Sequence, residues 1–215
     1  MPIRTLTSFE HTVADAVVEL GTLKGWEFAA FLKAPSGPLL EFITMMVPHG
    51  ADPSNDIKSR MAPADRVVIH HNHLSQQSLS VPDWNGLTVF ADQTFAHCED
   101  GTRYWGKVID ETAVTHVLKK AMTVEVEAEN FLFAILNSLK PDPTAVEFAH
   151  YYRKEVVNRA MKLAGFVDYE FSWGSKTTPP PPYPGSPAQT WSAGSIGSLI
   201  CTHIDTAAAR LAPTL

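Results

Sequence analysis

Three histidines, His70, His71 and His73, fall within four residues, directly after the apolar run Val67-Val68-Ile69. That run reads as a buried strand. Side chains alternate along a strand, so His71 and His73 share one face, while His70 and Asn72 point to the other. Two imidazoles presented this way chelate one Zn²⁺ with bonds of ~2.0–2.1 Å. A catalytic zinc takes three protein ligands and keeps one position open for water. The nearest downstream carboxylate is Asp83, in Ser80-Val81-Pro82-Asp83. A serine N-cap with proline in the first turn starts a helix at Ser80. The loop 74–79 is long enough to bring that turn back over the strand end. Asp83 would then be the third ligand, with Ser80 beside the fourth position. Plainer readings stay open here. Ser-x-x-Asp is itself a capping pattern, and a His-x-His on a strand is more often structural than metal-bound. The two uses of Ser-x-x-Asp are compatible, because a capped turn holds Asp83 still.

Other elements must position these residues. Val13, Ala16, Val17 and Leu20 recur at helical spacing over Phe9 to Leu20, with Thr12-x-x-Asp15 as a start signal and Gly21 as a stop. Residues 26–32 and 39–47 read as a hairpin around Ala34-Pro35-Ser36-Gly37-Pro38. The polar stretch 49–65 reads as a long surface loop, which in a compact domain is often functional. Arg66 to His73 is the histidine-bearing strand. Gln93 to Val108 forms a second hairpin at Asp100-Gly101. Residues 112–139 are mostly helical, although 122–127 alternate as a strand would, and Pro141 and Pro143 end the pattern. A further helix runs from Thr144 to Ala164 and stops at Gly165. Residues 175–187, SKTTPPPPYPGSP, read as an extended polyproline-type linker, followed by a weakly apolar tail.

The pattern His71-Asn72-His73, a short loop, then Ser80-x-x-Asp83 resembles the zinc motif of the JAB1/MPN/Mov34 (JAMM, or JAB) metalloproteases. Asn72 and the run Ser78-Leu79-Ser80 are most similar to the bacterial JAB and RadC branches. Leu74 stands where the family commonly has proline, and the loop to the serine is one residue shorter; the serine-to-aspartate spacing is kept. The resemblance covers roughly residues 9–140. It implies an α/β fold with a mixed, curved β-sheet and flanking helices, cytidine-deaminase-like in plan. It divides the chain into a JAB/MPN-like domain at 1–140, a C-terminal helical extension at 141–174, and a Pro-rich linker and tail at 175–215. The family's glutamate follows the first helix, and the matching position is Glu27, a charge between the aromatics Trp26 and Phe28. Glu41 is the rival, and placement favours Glu27.

The resemblance also implies a zinc-dependent peptidase or isopeptidase, cutting after the C-terminus of a ubiquitin or ubiquitin-like protein. His71, His73 and Asp83 would hold Zn²⁺. Glu27 would be the general base, and Ser80 would donate to the oxyanion. A bacterial setting would place it in a ubiquitin-like conjugation system, antiviral defence included, with the ubiquitin-like protein as partner. Two other classes stay in view: a scaffold subunit on the same fold without activity, and a RadC-like protein of DNA-associated systems.

Composition narrows the field. The chain has 215 residues, 45% of them apolar, enough to bury a core without disulfides. Its net charge of −6 and pI near 5.8 disfavour a nucleic-acid partner. Cys98 and Cys201 form no Cys-x-x-Cys motif, as expected of a reducing compartment. No secretory signal and no membrane-length apolar run is present, so the expectation is a cytoplasmic protein with no membrane partner. Gly-x-Ser-x-Gly, His-Glu-x-x-His and P-loop patterns are absent. His97-Cys98 is a poor nucleophile pair, since adjacent strand residues face opposite sides.

Overall fold

A computed structural model describes residues 3–139, 144–174 and 195–215. The polyproline stretch and the expected stop at Pro141 and Pro143 lie outside the described residues. Helix α1 (Ser8–Lys24) precedes the hairpin β1 (Phe28–Lys33) and β2 (Leu39–Thr44). A short helix α2 (Asn55–Lys58) interrupts the expected loop 49–65. Then follow β3 (Val67–Asn72), α3 (Val81–Val89), β4 (Ala91–His97) and β5 (Arg103–Val108). The chain continues through α4 (Glu111–Lys119), α5 (Ala121–Leu139), α6 (Thr144–Leu163), β6 (Val167–Ser172) and α7 (Ser195–Leu211).

The six strands form one mixed sheet in the order β2-β1-β3-β4-β5-β6. Only β3 and β4 run parallel; the other neighbours are antiparallel. The mixed α/β class expected from sequence is thus observed. The parallel pair requires a crossover, and α3 supplies it. That crossover brings the N-terminus of α3 back to the C-terminal end of β3.

Helix α1 covers one face of the sheet, over Phe28, Ala30, Leu32, Val68 and Phe95. The other face carries Ala29, Phe31, Val67 and Ile69 and packs under α3 and the later helices. The central strands β1 and β3 are therefore buried on both sides, which is why they read as continuous apolar runs.

Several expectations need correction. Helix α1 starts at Thr7, not Thr12: the Thr7 hydroxyl accepts from Glu10 N, and the Glu10 carboxylate accepts from Thr7 N at 2.8 Å. It passes through Gly21 and ends at Gly25, whose φ of 68° suits glycine. Residues 122–127, where a strand stayed open, are helical like most of 112–139. Val124, Ala128, Leu132 and Leu136 bury one row at every fourth position, while Val126 is exposed. The segment 141–174 is not only helical, because β6 completes the sheet beside β5. Helix α7 packs on α5 and α6 and buries Ile200, Ile204, Ala207, Ala208 and Leu211 in the same core. The sheet and its core thus extend past residue 140. Among the described residues no helix is long and apolar enough to cross a membrane.

Gly21 has a different task from the expected stop. A Cβ there would lie 2.6 Å from Asn72 Cγ. Gly21→Ala should therefore destabilise the protein by about 1–3 kcal/mol through overpacking, although alanine is the better helix former by ~1 kcal/mol. Urea denaturation measures this; an unchanged or higher midpoint would mean that Asn72 is not held against α1.

Candidate metal centre

Strand alternation places the site. His71 follows Val67 and Ile69 onto the α3 side of the sheet, and His73, one residue past the strand, keeps that direction. Their Nε2 atoms lie 2.9 Å apart. Asp83 comes from the first turn of α3, with Oδ1 2.9 Å from His71 Nε2 and Oδ2 3.7 Å from His73 Nε2. Glu27 leads into β1 on the same face as Ala29 and Phe31. Glu27, His71, His73, Ser80 and Asp83 all line one cleft of about 860 Å³, an ordinary size for a ligand site.

Hydrogen bonds set the protonation of the ligands. His73 Nδ1 is 2.7 Å from the Gln77 carbonyl oxygen. A carbonyl only accepts, so Nδ1 carries the proton and Nε2 of the neutral ring presents its lone pair to the cleft. Burial, reinforced by the charge of His71, lowers the His73 pKa to about 4. Burial also opposes charge on His71, but Asp83, with Glu27 behind it, outweighs this and raises the His71 pKa. Burial of Asp83 is likewise overcome by His71, which holds the carboxyl well below its usual range. One proton on His71 Nε2 thus sits between Asp83 and the bare nitrogen of His73.

The donor set fits a metal ion. One atom from each of His71, His73 and Asp83 lies within 4.8 Å of the others. Ligands at ~2.0–2.1 Å on a tetrahedral ion sit roughly 3.3 Å apart; the two imidazole Nε2 atoms are 2.9 Å apart, and Asp83 approaches His71 to 2.9 Å by Oδ1 and His73 to 3.7 Å by Oδ2, each close to that value. His73 already has the second hydrogen bond that orients metal-binding imidazoles. Such a site exchanges the His71 proton for the metal.

Glu27 is not part of the triad. Its carboxylate makes no hydrogen bond or ion pair with another described residue and opens on the cleft. Burial raises its pKa, and Asp83 adds to this while His71 opposes it. Its backbone is pinned on both sides. Asn72 Oδ1 accepts from Phe28 N at 2.7 Å, Asn72 Nδ2 donates to Trp26 O at 3.1 Å, and Glu27 N donates to Val47 O at 2.9 Å. The asparagine between the two histidines therefore holds the glutamate from the opposite face. The rival Glu41 is spent elsewhere: its carboxylate accepts from Ser54 N at 2.9 Å and from the Ser54 hydroxyl, fastening the cleft-lining loop to β2.

Ser80 occupies the expected place, but its hydroxyl is not free. Both Ser80 N and Ser80 Oγ donate to Asp83 Oδ2, at 2.6 and 2.7 Å. The capping use of Ser-x-x-Asp is thus present, and it leaves Asp83 beside His71 and His73.

The loop 74–80 is fixed by residues that sequence reasoning did not single out. Asn158 of α6 accepts from Trp84 Nε1 at 2.8 Å and donates to Ser78 Oγ and Leu79 O at 2.8 and 2.9 Å. Tyr169 of β6 meets Ser78 Oγ at 2.6 Å. Tyr104 and Tyr151 donate to the carbonyls of Gln76 and Ser75. The elements after residue 140 thus support the site.

The remaining histidines are placed as well. His70 faces α1, with Nδ1 3.0 Å from His97 Nε2 and its ring stacked on Phe95. Cys98 is buried, and burial pushes its thiol pKa up, so it is no nucleophile. His49 is exposed at the rim of the cleft. No family model, no curated protein and no solved structure matches the chain.

Proposed function

We propose that the protein is a zinc-dependent peptidase or isopeptidase of the JAMM type. The observation that carries this reading is the meeting of Glu27 with His71, His73 and Asp83 in one cleft, from residues 27, 71, 73 and 83 on three separate elements. A zinc ion held by His71, His73 and Asp83 would polarise the scissile carbonyl and lower the pKa of the attacking water to ~7.

The residues divide the work. His73 offers a lone pair because Gln77 holds its other nitrogen protonated. Asp83 is aimed by Ser80 and contributes the ligand charge. Glu27, unpaired and with a raised pKa, takes the proton of the water and passes it to the leaving amine. Ser80 donates to the oxyanion once its hydroxyl turns from Asp83.

The substrate class proposed is a ubiquitin-like protein joined through its C-terminus, including in bacterial conjugation systems of antiviral defence. The test is a ubiquitin-like protein extended at its C-terminus by a short peptide, incubated with zinc-loaded protein. Cleavage at the junction that stops on chelation and returns with zinc is expected. Full zinc occupancy with no cleavage of a panel of such fusions would favour a scaffold role.

A further inference from the structure

The cleft contains a charge that neither the reaction above nor an ion pair among the described residues uses. Lys154 of α6 lines it, as do residues of the loop 49–65. Its ammonium donates to Gln77 Oε1 at 3.2 Å, a neutral partner, and forms no ion pair among the described residues. The nearby carboxylates are engaged. Glu125 pairs with Arg153 at 2.9 Å. Asp52, also at the cleft, pairs with Lys58 at 2.6 Å. Glu27 and Asp83 together balance one divalent ion. With the metal in place, the ammonium of Lys154 is the surplus charge of the cleft. Burial lowers its pKa, with Glu125 and Asp83 only partly opposing this, so holding the charge there is unfavourable unless an anion meets it.

Position indicates which anion. Gln77 bridges the two groups: its carbonyl holds His73 Nδ1 and its side chain holds Lys154. Lys154 therefore stands one residue's reach behind the metal ligands. That suits a group a few bonds beyond the scissile carbonyl better than the oxyanion itself. We propose that Lys154 is a specificity determinant that binds a carboxylate of the substrate next to the bond that is cut. The carboxylate is either the terminal one of a leaving residue or the side chain of an acidic residue. This rests on the peptidase reading. It adds that substrates with a carboxylate there are preferred over neutral ones.

Binding tests it without turnover. Zinc-loaded full-length protein with Glu27→Gln in every sample is labelled with ¹³C at the lysine ε-carbons. Three probes are titrated: N-acetylglycylglycine, N-acetylglycylglutamic acid α-amide, and the neutral N-acetylglycylglycinamide. Comparison with Lys154→Arg assigns the Lys154 signal. A saturable shift of that signal is expected with at least one acid and not with the amide. The acid that binds identifies a terminal or a side-chain carboxylate. Lys154→Gln should weaken that acid roughly tenfold or more, and Lys154→Arg should keep most of the affinity. Equal binding of acid and amide overturns the proposal. So does equal binding of the acid to Lys154→Gln, which would mean that zinc alone holds it, and so does no saturable shift with any probe. Each of these results leaves the peptidase reading standing, because that reading fails only on zinc content and cleavage.

Discussion

Glu27→Gln is expected to keep the metal and to lose hydrolysis by roughly 10²–10⁴-fold in kcat/KM. The carboxamide has nearly the same shape but accepts no proton at neutral pH. Glu27 is not one of the three ligands. Its backbone is held by Asn72 and Val47 whatever the side chain, so the cleft should keep its form. The pH profile gives a second readout. The acidic limb of the wild-type kcat/KM should report ionisation of Glu27 as the base. The variant should lose that limb. Stability moves the other way. A buried acid with a raised folded pKa costs the fold stability once pH exceeds its unfolded value. Glu27→Gln should therefore leave the metal-free protein equally or more resistant to heat at neutral pH, the usual trade between a poised site and stability. Activity close to wild type in this variant would remove Glu27 as the base.

Asp83→Asn removes a ligand and the charge that protonates His71. Changes to groups behind metal ligands already cost ~10–100-fold in affinity, so loss of the ligand charge should cost more than about 10²-fold. The wild type should show a matching pH dependence. His71 must give up its proton to bind metal, and its pKa is raised. Below that pKa each metal bound should release about one proton, and affinity should fall about tenfold per pH unit. The metal-free fold carries the complementary signature. The raised His71 pKa contributes stability that is full below the unfolded histidine value and is lost as pH rises through the folded value. The depressed Asp83 pKa contributes stability present above the unfolded aspartate value and lost as pH falls through the folded one. The pair thus stabilises the metal-free protein from about pH 4 to about pH 6.5, with the loss beginning above that range. Wild-type urea midpoints in chelator should exceed those of Asp83→Asn by most over this range, on top of a fall towards low pH that both proteins share because the buried neutral His73 takes up a proton on unfolding. Identical pH profiles in the two proteins would contradict the ion pair.

What sequence reveals of this site is its local part. Alternation puts His71 and His73 on one face because the side chains of any strand alternate. The start of α3 is legible because Ser80, Pro82 and Asp83 act within one turn. The Asp100-Gly101 turn is equally local. The place of Glu27 is legible through the resemblance and through its setting between aromatics, and it lines the cleft while Glu41 is engaged by Ser54. The supports were hidden because their partners are distant in the chain. Asn158 reaches Trp84 and Ser78 across more than seventy residues, and Asn72 reaches Phe28 across 44. A polar side chain in a helix gives no sign of which buried loop it will satisfy. Strand β6 alternates over only six residues beside a turn, and its pairing with β5 is a tertiary fact. Residues 122–127 alternate in type, yet burial follows the four-residue spacing of α5, since tertiary packing overrides so short a pattern.

The peptidase reading requires that His71, His73 and Asp83 hold a metal. Elemental analysis of purified wild type and of a His71→Ala, His73→Ala double variant, both reloaded with zinc at neutral pH, tests it most directly. About one zinc per chain in the wild type and almost none in the variant is the predicted result. Equal zinc in both proteins, or none in either, would contradict it.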